Sequence, residues 1–147
     1  MATSDHELIR NTIARYAIGV DHKDWDTFSK AFLENAIIIF PEPIGTLNGI
    51  TTIKATISAM VEPFQSQHCL STQLIEITGG KTAEAITYVT NVLSGTGNDE
   101  GKSATSLGYY QDKLVKVIVD DREDWKISER KAFNRGVITG DLPIHSS

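Results

Sequence analysis

The sequence predicts an α+β domain whose helices come first and whose sheet comes last. Two observations carry this reading. Apolar residues recur at three- and four-residue intervals up to Val61, and from Gln67 onward long stretches rich in β-branched residues alternate with turn signals. Helices followed by an antiparallel meander is the order of α+β architecture, with the helices covering one side of the sheet. At 147 residues the chain fits one domain, 1–147, and no linker divides it.

Each element has its own signal. Ser4 and Asp5, with Glu7 three residues after Ser4, resemble a capping box ahead of a stripe formed by Leu8, Ile9, Ile13, Tyr16, Ala17 and Val20. Asp24 can cap a second helix with Trp25, Phe28, Ala31 and Phe32 on one face. The Ile-rich run Ala36 to Phe40 reads as a strand that enters a rigid Pro41-Glu42-Pro43 loop, since proline has no N–H for a ladder. Gly45 to Ile50 reads as a turn. A third helix starts at Thr51 or Thr52, runs through Ile53, Ile57, Met60 and Val61, and stops at Pro63. Strands follow at Gln67–Thr78, Thr82–Leu93, Ala104–Val119 and Trp125–Asn134, separated by glycine-rich or acidic turns. Residues 140–147 are polar and read as a flexible tail, unless they close over a pocket or a partner subunit.

Composition excludes several classes of function. A net charge of −5 argues against binding nucleic acid through phosphate neutralisation and against adsorption to anionic membranes. No apolar run approaches the ~20 residues of a membrane span. The single cysteine, Cys69, cannot form an internal disulfide, and the first ten residues lack the apolar core of a secretory signal, so a cytoplasmic setting is expected. The single cysteine and the four histidines His6, His22, His68 and His145 form no HExxH and no paired-cysteine spacing, so no metal is expected.

Three segments carry a resemblance to a known family. The run Tyr16-Ala-Ile-Gly-Val-Asp21-His-Lys-Asp24-Trp25-Asp26 resembles the first-helix signature of scytalone dehydratase and the SnoaL-like proteins of the nuclear transport factor 2-like superfamily. Ser66-Gln67-His68 falls where that family places a Gln-His pair on a strand, and Asp124-Trp125-Lys126-Ile127 is similar to its last-strand entry. The resemblance implies a cone-shaped barrel: a strongly curved, mixed, mainly antiparallel sheet wrapped around three N-terminal helices, with an apolar pocket at the open end. It implies an enzyme that needs no cofactor, a dehydratase, isomerase or cyclase acting on a small hydrophobic, polyketide-like or polycyclic molecule. It also implies a homodimer or homotrimer paired through the exposed face of the sheet. A non-catalytic binding or assembly module of the same fold is the alternative.

The resemblance further implies that Asp21 and His68 form an Asp-His catalytic pair and that Tyr16 is an oxyanion donor. The sequence departs from its relatives at other points. The second histidine of scytalone dehydratase is absent from Thr90-Asn91-Val92-Leu93, and Asn91 stands where the bile-acid dehydratases have an aspartate. The ketosteroid isomerase base has no clear equivalent, Glu42 being the only nearby carboxylate.

The chemistry of these residue types is coherent. An imidazole titrating near ~6.5 can take a proton and return it, provided a partner fixes its tautomer. A phenol can donate to a developing oxyanion without the cost of a buried charge. Five residues on an ideal helix turn through about 140°, so Tyr16 and Asp21 converge only if the helix ends or bends near Gly19.

Strand alternation supplies further candidates for the pocket. Glu129, Lys131 and Phe133 share the parity of Trp125 and Ile127; His68 lies with Leu70, Thr72 and Leu74; Asn91 lies with Thr87, Val89 and Leu93. One of Tyr109 and Tyr110 faces inward, and Phe40 is a further candidate wall residue. Glu129 with one of the two tyrosines is a second possible acid/base set, with His68 then a supporting donor. Each residue also has a plain reading: a half-exposed strand histidine, a helix-terminal carboxylate, a core tyrosine, or solvated strand polars.

Overall fold

The computed structural model describes residues 3–144. Helix α1 spans Asp5–Asp21, and Ser4 Oγ accepts a hydrogen bond from the Glu7 N–H at 3.2 Å. Its inner face buries Ile9, Ile13, Tyr16, Ala17 and Val20. Thr12 is fully buried on that face and donates to the Trp125 carbonyl at 2.6 Å, tying the helix to the sheet through a polar bond.

The helix does not end near Gly19 but runs through Asp21. Gly19 serves a different purpose, because a Cβ there would lie 2.6 Å from the backbone of Phe28. Its absence lets helix α2 (Trp25–Ser29) close against α1, with Asp24 Oδ1 accepting from the Thr27 N–H at 3.1 Å. Phe32, expected on the face of α2, instead opens strand β1 (Phe32–Ile39). The turn expected at Gly45 to Ile50 contains a short strand, β2 (Thr46–Asn48), and helix α3 is Ile50–Val61.

The remaining strands are β3 (Phe64–Gly79), β4 (Thr82–Gly95), β5 (Ser103–Val119), β6 (Arg122–Asn134) and β7 (Thr139–Gly140). They form a seven-stranded sheet in the order β2-β1-β6-β5-β4-β3, with β7 paired to β5. Only β1 and β6 run parallel. The sheet is curved and mixed, as expected, but it is not a closed barrel: β2 and β3 remain as edges. The helices and the inner face of the sheet share one core, which includes Ile9, Ile13, Phe28, Ile38, Ile53, Leu114, Trp125 and Ile127.

Two bulges overturn the simple parity reading. In β3 the register slips between Leu70 and Gln73, so Gln73 and Ile75 turn inward while Leu74 is 58% exposed. In β6 it slips at Ser128, since Leu114 pairs with Ile127 but Lys113 pairs with Glu129. One extra residue in a strand exchanges the faces of everything after it.

The tail is held at its start, because Thr139–Gly140 pair with β5 and Leu142 is buried. Its last part, residues 145–147 with His145, lies outside the described residues. No helix among the described residues is long and apolar enough to cross a membrane.

Candidate active site

Asp21 closes α1 and His68 stands on β3, and the inner side of the sheet brings the two together. Asp21 Oδ1 lies 2.7 Å from His68 Nδ1, and Asp21 Oδ2 accepts the His68 backbone N–H at 2.8 Å. Ser66, on the same face of β3, donates its hydroxyl to Asp21 Oδ1 at 2.7 Å. Burial works to raise the Asp21 carboxyl, but the His68 ring, the His68 N–H and Ser66 together hold it below the ordinary aspartate value. The carboxylate is therefore charged at neutral pH, and in the neutral imidazole it favours the tautomer with the proton on Nδ1, which leaves the lone pair on Nε2. Nε2 has no hydrogen-bond partner among the described residues. The imidazole is nearly enclosed, with 7% of the side chain exposed.

Tyr16 is the hub of the surrounding wall. Its ring meets His68 edge-on with centroids 6.0 Å apart and also packs on Phe28, Phe32 and Tyr110. Tyr16 and Asp21 do not share a helix face; both reach the same point because His68 bridges them. The Arg130 guanidinium lies over the rings of Tyr16 and Tyr110, 4.4 and 3.9 Å from their centroids. It is fully buried and makes a two-pronged ion pair with Asp112, Nε to Oδ1 at 2.7 Å and Nη2 to Oδ2 at 2.9 Å. Burial disfavours the charge on Arg130, but Asp112 outweighs it and keeps the group protonated. Burial also raises the Tyr16 phenol, against the pull of the nearby Arg130 charge, and raises Tyr110 further, so both are neutral donors at neutral pH.

The family model described as a SnoaL-like domain matches residues 1–131. The chain belongs to the SnoaL-like family. Solved structures of this fold include hexachlorocyclohexane dehydrochlorinase LinA type 3 from Novosphingobium barchaimii, at 17% identity over 97% of this chain and 93% of that one, with a TM-score of 0.76. A candidate scytalone dehydratase from Novosphingobium aromaticivorans is 21% identical over 91% and 85%, with a TM-score of 0.77. A variant of Rv3472 from Mycobacterium tuberculosis, a protein of unknown function, is 20% identical over 90% and 72%, with a TM-score of 0.73. No curated protein matches the chain. At these identities the likeness establishes the fold, and the chemistry of this SnoaL-like protein rests on its own side chains.

Several residues expected in the pocket lie elsewhere, and the bulge at Ser128 explains two of them. Glu129 points to the outer face and pairs there with Lys113 Nζ at 3.4 Å, and Lys131 is exposed on the same face. The inner positions belong to Arg130 and Ala132. Of the two tyrosines, Tyr110 faces inward, while Tyr109 stacks on Phe133 on the outer face with centroids 4.8 Å apart. Phe40 lies just past the end of β1 and packs against the core, outside the ring of aromatic groups around Tyr16. Asn91 faces inward and pairs across the strands with His68.

Sequence reasoning passed over Arg130, Asp112 and Ser66. The signal for Arg130 was the polar run Ser128-Glu129-Arg130-Lys131, where regular apolar alternation stops after Ile127. Two clefts of about 410 and 440 Å³ open on the surface, and neither is lined by Asp21 or His68. The larger runs between α1 and β3 and reaches Leu70, two residues from His68 on the same face. Hydrogen-bond geometry, rather than cleft size, marks the site. Among the described residues no three His, Cys, Asp or Glu side chains are placed to share a metal ion.

Proposed function

We propose that the protein is an acid/base enzyme that eliminates or rearranges groups next to a carbonyl, a dehydratase, isomerase or cyclase of a small polycyclic or polyketide-like molecule. The observation that carries this reading is the Asp21–His68 pair, a carboxylate with three hydrogen bonds fixing one tautomer of a nearly enclosed imidazole. In this reading His68 Nε2 takes the acidic proton beside the carbonyl. The charge that moves onto the carbonyl oxygen is met by neutral phenols and the Arg130 guanidinium. The imidazolium then returns its proton, to a departing hydroxyl in a dehydration or to a new carbon in an isomerisation. Asp21 stays ionised and stabilises the imidazolium.

The test is turnover of a panel of cyclic β-hydroxy ketones and enones by the protein and its His68→Ala variant. Turnover is expected to fall by about 10²–10⁴-fold in a variant whose circular dichroism is unchanged. Full activity in folded His68→Ala protein overturns the assignment. A ligand-holding module is the competing reading, favoured by the two clefts that lie off the Asp21–His68 pair. It predicts ligand-induced chemical-shift changes without turnover of any panel member.

We also assign the homodimer or homotrimer implied by the family to the outer face of the sheet. There Ile86, Tyr88, Leu107 and Phe133 are exposed, an apolar area of the kind that interfaces cover. Light scattering of a Leu107→Glu variant, compared with the parent, tests this, and a monomeric parent refutes it.

A further inference from the structure

The wall beside His68 holds a polar atom that the protein leaves unmatched. Asn91 stands on β4 directly across from His68 on β3 and from Ser106 on β5. It shares the inward parity of Thr87 and Val89, both buried. Its Oδ1 is sealed from solvent and has no donor among the described residues. Buried carbonyl oxygens without partners are rare in folded proteins and each calls for an explanation. A second orphan in the same interior has the opposite character: Arg130 Nη1, a buried donor without an acceptor. Neighbouring chain has not closed either bond, so the interior offers one acceptor and one donor to whatever enters.

We infer that Asn91 Oδ1 accepts a hydrogen bond from the departing hydroxyl of the substrate, which makes it the residue that selects water as the leaving group. The inference deepens the proposed function and rests on it for the identity of the base. A proton leaves the carbon beside the carbonyl for His68 Nε2, and its electron pair forms the new C=C bond. The C–O bond to the β-hydroxyl breaks, and the Nε2 proton completes the water molecule. As the hydroxyl gains its second O–H it becomes a stronger donor, and Asn91 Oδ1, on the strand position across from His68, offers it an unused acceptor. A halide has no O–H to offer, and the lone pairs of Oδ1 repel it. An amide suits the position electrostatically, because Asp21 already places one negative charge against the ring.

The experiment uses α-tetralone and its β-hydroxy derivative, whose dehydration gives fluorescent α-naphthol. Binding of both ketones is measured by NMR titration in the His68→Ala background, with and without Asn91→Leu or Asn91→Asp. The β-hydroxy ketone is expected to bind about 5- to 150-fold more tightly than α-tetralone. Asn91→Leu erases the preference, and Asn91→Asp, which keeps an acceptor in place, retains it. With His68 intact, Asn91→Asp also moves the acid limb of the α-naphthol rate profile to higher pH, because a second carboxylate favours the imidazolium. Equal affinity for the two ketones, a preference that survives Asn91→Leu, or failure of both to bind overturns the inference. Turnover that survives His68→Ala, with a preference that still follows Asn91, faults the base assignment alone. If Asn91→Leu does not fold, Asn91→Ala takes its place in the titration, and a preference that survives it counts against the inference.

Discussion

Replacing Asp112 by leucine removes the only carboxylate that holds the Arg130 charge inside the protein among the described residues. Both side chains are fully buried, so no solvent is at hand to take over. Breaking a buried ion pair by deleting one partner costs about 3–5 kcal/mol, because the remaining charge is left uncompensated. For 147 residues, an unfolding entropy of roughly 2.1 cal/mol/K per residue converts this to a fall in Tm of about 10–16 °C. Calorimetry at neutral pH reads it directly. The double variant Asp112→Leu, Arg130→Met, with neither charge present, is expected to recover most of the loss, giving a strongly non-additive cycle. A fall of less than about 3 °C in the single variant, or a double variant as unstable as the single, would show that the pair is not sealed from water as the structure has it.

Gly19→Ala places a methyl 2.6 Å from the Phe28 backbone and is expected to cost about 1–3 kcal/mol in urea unfolding, as overpacked sites do. Gly80→Ala meets nothing within 4 Å and is expected to stay within about 0.5 kcal/mol of the parent. Deleting Ser128 removes the extra residue while Ile127 and Glu129 keep Leu114 and Lys113 as partners, so Glu129 stays outward and Arg130 inward; a cooperative thermal transition is expected to survive, and its loss would contradict the bulge. Asp21 has a folded pKa below its ordinary 3.8, so its contribution to stability is fully present above that value and disappears as pH falls through the lower one. Urea midpoints at about pH 6 and about pH 2.5 should therefore differ less in Asp21→Asn than in the parent, and equal acid losses would argue against the bonded carboxylate.

Much of the architecture was legible because it follows from local rules. Helix periodicity and the caps at Ser4 and Asp24 located α1 and α2, and turn residues located the hairpins of β3 to β6. Asp21, His68 and Tyr16 stood out through a family resemblance, and the fold does bring their side chains to one point. Other features were decided only by long-range pairing. The extra residue at Ser128 shows in the sequence only as a polar run after Ile127, which does not say where the register slips, yet it moves Glu129 and Lys131 out and Arg130 in. Alternation is a local rule, whereas register depends on the partner strand, and one slip reverses every side chain beyond it. Gly19 looked like a helix end because glycine permits one, while its actual use, room for Phe28, exists only once α2 folds back. The chain alone thus determined the three helices and the four long strands of the meander, though not β2 or β7, and named residue types able to do acid/base chemistry. Which of them face the interior, and the buried Arg130–Asp112 pair between two tyrosines, were settled by packing, since burial belongs to the assembled layers and not to any one segment.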